Sequence, residues 1–167
     1  MSGDGRAGRI SAIARRAARR LPMEEVARVR IDRLQGVSGD HKGRKFPRRA
    51  VTILAMEDWQ AALNELQDLA GPVALPWTAR RANLLVEGLR LPRAIGAILT
   101  VGNVRLEVTA QTVPCARMEE AHPGLMRALH PEWRGGVTCR VLTDGEVSVG
   151  DAVRIEYAPV EHVRRLP

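Results

Sequence analysis

The clearest pattern in the chain is the strict alternation over Val104–Gln111, which places Val104, Leu106, Val108 and Ala110 on one face and polar residues on the other. That is the signature of a half-buried strand. Ile98–Val101 precedes it, and Gly102-Asn103 between the two runs predicts a β-hairpin. A second hairpin is expected from Val137–Leu142, a turn at Asp144-Gly145, and Glu146–Val149, with a further strand over Ala152–Tyr157. Ala50–Ala55 and Asn83–Glu87 read as short strands and Val26–Leu34 as a longer one. Helical periodicity is confined to Met56–Leu69, where Trp59, Leu63, Leu66 and Leu69 share a face before Gly71-Pro72, and to a shorter segment over Gly124–His130. Residues 9–21 fit two patterns, a basic amphipathic helix through Ile10, Ile13, Ala17 and Leu21, or a first strand over Gly8–Arg15. Many short strands with few helices predict a mainly β fold of barrel type.

Composition narrows the classes. With 167 residues, 45% of them hydrophobic and 27% charged, the chain suits one globular domain. No apolar run is long enough to span a bilayer, and no secretory leader is expected. Two cysteines cannot form a disulfide framework, so a cytoplasmic protein is expected. The net charge of +7 is uneven: residues 1–22 carry +5, residues 23–50 carry +4, and the remainder carries −2. Among 26 basic residues only Lys42 and Lys45 are lysines. Such basicity raises nucleic acid, but none of the five aromatics is interleaved with the arginines, and no nucleic-acid-binding signature is present. Nucleic acid is therefore not the expected partner.

The cysteines differ in context. Cys139 lies on the alternating face Val137–Cys139–Val141 and reads as a small buried hydrophobe. Cys115 follows Pro114 where the strand must stop, with Arg117 two residues on. A thiol beside a guanidinium can exist partly as thiolate, the form that attacks sulfur, carries persulfide or ligates a soft metal; the plainer reading is a loop cysteine. The glycine-rich segment Gly36–Arg44 contains Asp40 and His41, which suit proton transfer or binding, or simply a solvated turn. Arg80-Arg81-Ala82-Asn83 at a strand mouth suits a phosphate or a polar heterocycle. His41, His122, His130 and His162 show no metal-ligand spacing and there is no CxxC, so no structural zinc is expected.

In order along the chain stand Gly39-Asp40-His41-x-Gly43, Arg48-Arg49-Ala-Val-Thr-Ile, Arg81-Ala-Asn83-Leu-Leu-Val-Glu-Gly88, Pro114-Cys115-Ala-Arg117, Arg134-Gly135-Gly136 and Val149-Gly150-Asp151. This series resembles the MOSC domain, named for the C-terminal domain of molybdenum cofactor sulfurases, in its small stand-alone bacterial form. The resemblance runs from about Gly8 to Tyr157, implying a short lead over 1–7, a single MOSC domain over 8–158 and a tail over 159–167, and it favours the strand reading of Gly8–Arg15. The implied fold is a β-barrel-like domain of mostly antiparallel strands.

The resemblance also implies molybdenum cofactor or sulfur chemistry. In family members that act as reductases, the position matching Cys115 is a molybdenum ligand, and an Arg-x-Asn segment matching Arg81 and Asn83 holds the pterin part of the cofactor. Arg49 and Arg117 are further candidate cofactor contacts, and Asp40 and His41 are candidate catalytic residues. Two versions follow: reduction of an N-hydroxylated small molecule with electrons from a partner protein, or a persulfide on Cys115 supplied by a cysteine desulfurase, a pyridoxal-phosphate enzyme. The sequence departs from the family in two places. The Gly-Asp-x-His-x-Gly form is shortened to Gly-Asp-His-Lys-Gly, and Pro114 stands where amidoxime-reducing relatives carry arginine. A non-catalytic module gripping an anion or nucleic acid is the rival from another class.

Overall fold

The computed structural model describes residues 7–161, the side chain of Ala70 excepted. In chain order the strands are β1 (Gly8–Arg15), β2 (Glu24–Val26), β3 (Arg28–Asp32), β4 (Gly36–Val37), β5 (Val51–Ala55), β6 (Leu84–Glu87), β7 (Ile98–Val101), β8 (Val104–Gln111), β9 (Val137–Val141), β10 (Gly145–Ser148) and β11 (Ala152–Tyr157). The α-helices are α1 (Met56–Ala70), α2 (Ala116–Ala121) and α3 (Leu125–Ala128). Seven strands close on themselves in the order β11-β7-β8-β9-β5-β6-β1, with β1 returning to β11, while β2 hangs from the far part of β1. Closure leaves no barrel edge unpaired. All these pairings are antiparallel except β5 with β6, the two strands joined through α1. A mainly β barrel with few helices is thus the fold.

Strand periodicity explains two separate apolar clusters. Ile10, Ile13, Val51, Ile53, Leu84, Val86, Leu99, Leu106, Val108 and Cys139 fill the barrel. Leu54 and Leu85 point the other way and pack under Trp59, Leu63, Leu66, Met118, Leu125 and Leu129 from the helices. Being buried on both faces, β6 reads as the unbroken run Leu-Leu-Val. Cys139 is wholly buried, and burial pushes its thiol pKa upward, consistent with a packing role.

Several elements differ from expectation. Val26–Leu34 is two strands, β2 and β3, which belong to different sheets. The hairpin expected between Val137–Leu142 and Glu146–Val149 does not form: β10 pairs with β3, in a three-stranded sheet with β4, while β9 lies between β8 and β5. The expected turn at Asp144-Gly145 is instead a bend at Leu142-Thr143, with Gly145 already in β10, and Asp144 accepts from the backbone N–H and guanidinium of Arg33, turning the chain toward β3. Leu69 belongs to α1 yet is 80% exposed, so the buried face ends at Leu66. Helix α3 is shorter than Gly124–His130, and α2, directly after Cys115, was not expected. Gly8–Arg15 is a strand and not a helix. His162 and the ends of the expected lead and tail lie outside the described residues.

Gly135-Gly136 marks the closest backbone approach in the barrel. A Cβ on Gly136, whose φ is +94°, would lie 2.1 Å from the carbonyl oxygen of Ile53. Gly136→Ala is expected to cost at least about 2 kcal/mol, from backbone strain plus steric displacement. Gly150 has a similar φ of +95° with open space where a Cβ would go. Gly150→Ala is therefore expected to cost clearly less, as read from paired urea denaturation curves; equal losses would refute the steric account.

Candidate functional site

The site occupies the rim where β1 and β8 finish and β6 and β9 begin, around Thr52 and Ile53 of β5. Its foundation is Asn83, whose side chain is fully buried. Asn83 Oδ1 accepts from the backbone N–H of Thr52 at 3.0 Å, from Thr52 Oγ1 at 3.1 Å and from Lys42 Nζ at 3.0 Å. Its Nδ2 donates to the carbonyl of Ala14 at 3.2 Å. Thr52 Oγ1 in turn accepts from Lys42 Nζ at 3.1 Å and from the backbone N–H of Asn83 at 3.1 Å. One carboxamide thereby ties β1, β5, the start of β6 and the Lys42 loop together.

That loop is folded by Asp40. Its Oδ1 accepts from the backbone N–H of Arg16 at 3.0 Å, while the backbone N–H of His41 donates to the Arg16 carbonyl at 3.0 Å. Arg15 Nη1 holds the Ser38 carbonyl at 2.9 Å. The shortened Gly-Asp-His-Lys-Gly segment thus runs back along the end of β1 and delivers Lys42 to Asn83.

Arg80 closes the opposite side. It is only 6% exposed, with Nε donating to the Gly135 carbonyl at 3.0 Å and Nη2 to the Thr112 carbonyl at 2.9 Å. Gly135 has no room for a side chain, since a Cβ would stand 2.3 Å from the Thr112 oxygen. The next residue, Arg81, has a left-handed backbone with φ of 67°. Such strain in a non-glycine residue persists only where surrounding structure enforces it.

A cavity of about 120 Å³ between these parts is lined by Lys42, Arg49, Arg80, Arg81, Thr112 and Cys115, among others. Cys115 is exposed, immediately before α2. An adjoining cleft of about 430 Å³ shares Arg81 and adds Arg117 and Glu120, with Leu21, Pro22, Met23 and Pro76 as an apolar wall. Arg16 completes the charge cluster: its own pKa is lowered by burial and then by Arg117, against the opposing pull of Asp40.

The charges here are not neutralised by the protein. Arg33, Arg93, Arg105 and Arg134 each meet a carboxylate. Among the described residues no ion pair involves Arg16, Lys42, Arg49, Arg80, Arg81 or Arg117. Burial brings the Lys42 ammonium down to about 8, with Arg16, Arg49 and Arg80 adding to the shift against Asp40. Burial likewise lowers Arg80 to about 10, opposed by the Cys115 charge. Arg81 is lowered by burial and by Arg16 and Arg117. Buried like charges without counterions are costly, and an anion relieves them. The Nη1 of Arg16, Nδ1 of His41 and Oγ1 of Thr112 are also buried without a protein partner. Among the described residues no three His, Cys, Asp or Glu side chains gather as a metal site. The donor set therefore suits an anionic group beside a thiol.

Of the residues singled out from sequence, Cys115, Arg49 and Arg81 share the cavity, and Arg117 shares the adjoining cleft with Arg81. Asn83 lies beneath, with its oxygen engaged inside the protein. Asp40 and His41 line neither space; burial and Arg16 lower the pKa of His41. Arg80, read from sequence as one of two arginines at a strand mouth, lines the same cavity; Lys42 was read only within the Gly36–Arg44 segment, and Arg16 was not selected.

The MOSC domain profile matches residues 39–154, most of the chain, and the chain belongs to the MOSC domain family. Solved structures agree on the fold. The crystal structure of APC1665, the YUAD protein from Bacillus subtilis, is similar with a TM-score of 0.69 at 16% identity, over 89% of this chain and 94% of that one. YiiM from Geobacillus stearothermophilus gives 0.68 at 18% identity, over 90% and 75%. YiiM from Escherichia coli gives 0.65 at 19% identity, over 93% and 72%. No curated protein matches by sequence. No helix among the described residues is long and apolar enough to cross a membrane.

Two expectations follow from this geometry. Asn83→Ala removes one of the two acceptors of the Lys42 ammonium and the side-chain partners of the Thr52 N–H and the Ala14 carbonyl, and is expected to cost about 2–4 kcal/mol in chemical denaturation; a neutral effect would dismiss the hub. Lys42, with its pKa brought down to about 8, is charged below that pH and neutral above it. Sulfate, whose charge is constant in this range, is expected to bind more weakly as pH rises through about 8, while Lys42→Met shows a flatter profile by titration calorimetry. The folded protein releases this proton before the unfolded chain does, so stability from this residue increases between about 8 and the ordinary 10.5.

Proposed function

We propose that this protein binds molybdenum cofactor, with Cys115 as the protein's ligand to the metal. The observation that carries the reading is the exposed thiol set in a cavity whose four cations have no carboxylate partner. Lys42, Arg49 and Arg81 would pair with the anionic part of the group, Arg117 would extend that contact along the larger cleft, and Cys115 would supply a soft thiolate. When bound, the cofactor supplies a two-electron redox centre. The apolar wall of Leu21, Pro22, Met23 and Pro76 supports a small organic substrate beside it. In the reductase form of this reading, that substrate is an N-hydroxylated compound and an electron-transfer protein is the partner. Arg80 is fixed by the Gly135 and Thr112 carbonyls, so its charge is set before any ligand arrives.

A second reading, Cys115 as a persulfide carrier loaded by a cysteine desulfurase, is favoured by the exposure of the thiol, since sulfur transfer requires contact with a donor and an acceptor. Molybdenum content, measured by elemental mass spectrometry on protein from a host that makes the cofactor, separates the two. Near-stoichiometric molybdenum in the wild type, lost in Cys115→Ala, is the expected result. Absence of the metal from both proteins would reject the cofactor reading.

A further inference from the structure

We propose that the Cys115 cavity takes thiosulfate, or a thiosulfonate anion of the same chemistry, as a sulfur donor. The inference rests on the sulfur-carrier reading and names a donor that needs no protein partner. It begins from the size and contents of the inner cavity. At about 120 Å³ the cavity has room for a compact oxyanion. Four cationic side chains and a thiol line it, without a carboxylate among the lining residues.

Two of those cations are held where a dianion would need them. Arg80 keeps Nε and Nη2 on backbone carbonyls and remains a buried charge without a counterion. Lys42 spends two of its three ammonium hydrogens on Thr52 and Asn83, leaving one for a ligand. Thr112 Oγ1, buried and unpartnered, adds a hydroxyl donor on the same wall. Phosphate or sulfate would satisfy the charges but has nothing for the thiol to attack. Thiosulfate satisfies both: its sulfonate end matches the cations and its outer sulfur is an electrophile for a thiolate.

The step balances without an added oxidant or reductant. The Cys115 thiolate attacks the outer sulfur, a new S–S bond forms, and the S–S bond within thiosulfate breaks with its electron pair leaving on sulfite. Cys–S⁻ and S–SO₃²⁻ become Cys–S–S⁻ and SO₃²⁻, three negative charges on each side. Lys42, Arg49, Arg80 and Arg81 surround the sulfite as its charge develops, which is the electrostatic assistance the cavity is built to give. The persulfide then stands at an exposed position, open to an acceptor thiol.

The test uses the full-length protein, reduced and free of cofactor, mixed with thiosulfate under anaerobic conditions. The expected result is one added sulfur on Cys115 by intact-mass and peptide analysis, one sulfite released per chain, and neither in Cys115→Ala. Lys42→Met and Arg81→Met are each expected to load from thiosulfate about tenfold more slowly or worse, the size of a lost charge-assisted contact. Methyl methanethiosulfonate, the neutral analogue, is expected to modify Cys115 in these variants within about threefold of the wild-type rate, which shows that fold and thiol are intact. Equal slowing toward both reagents would overturn anion recognition. Loading of the wild type by a cysteine desulfurase but not by thiosulfate would overturn this inference alone, and loading by neither would overturn the carrier reading with it.

Discussion

One buried carboxamide sets the geometry on which the site depends. Asn83 stands where a parallel strand pair enters an otherwise antiparallel barrel, and it links β1, β5 and the Lys42 loop through four hydrogen bonds. A buried amide that lost these partners would carry a desolvation penalty with no return. The hub therefore fixes two things at once. It holds the register of Thr52 against Asn83, and it holds the Lys42 ammonium at the cavity wall. Asn83 thereby acts on the cavity from beneath, through the residues it positions.

The second constraint is electrostatic. Elsewhere in the fold several arginines meet carboxylates, as Arg105 does with Glu156 and Arg93 with Glu161. Around Cys115, Lys42 and Arg80 donate instead to a hydroxyl and to carbonyls, and the neighbouring guanidinium groups repel one another. This arrangement costs stability and raises the electrostatic potential at the thiol, a trade common at functional sites. Part of the basic first third of the chain is used here. Arg16, Lys42 and Arg49 come from the basic first third, and the fold brings them against Arg80, Arg81 and Arg117.

Much of the barrel was legible because strand burial alternates with period two. Val104–Gln111 and its partner Ile98–Val101 needed only local pattern and a turn. Pairing between strands distant in sequence was not legible in the same way. The hairpin drawn from Val137–Leu142 to Glu146–Val149 followed proximity in the chain, whereas Asp144 binds Arg33 and commits β10 to β3. At the site, Cys115, Arg49 and Arg81 were found because thiolates and guanidinium groups announce their chemistry. Arg80 was legible only as one of a pair at the strand mouth and Lys42 only as part of a glycine-rich loop, because what distinguishes them is burial and the lack of an anionic partner, which only the three-dimensional arrangement reveals.

The rim position also explains how one thiol is exposed while its neighbours are buried. Strand β8 leaves the barrel at Gln111, Thr112 is still bonded to Gly136, and the chain turns outward through Pro114 before α2 begins. Cys115 sits at that departure, with barrel ends behind it and solvent in front. A cysteine three residues earlier would take the place of Thr112, which is latched to Gly136, and one three residues later would occupy the place of Met118, which is buried beneath the helices. Only the short span between latch and helix combines access with the field of the cations. The crowded Gly135 serves the same end, since the absence of a side chain lets the Arg80 guanidinium reach its backbone carbonyl. Barrel closure, the parallel insertion and the glycine pair thus act together to keep an uncompensated positive wall facing one accessible sulfur.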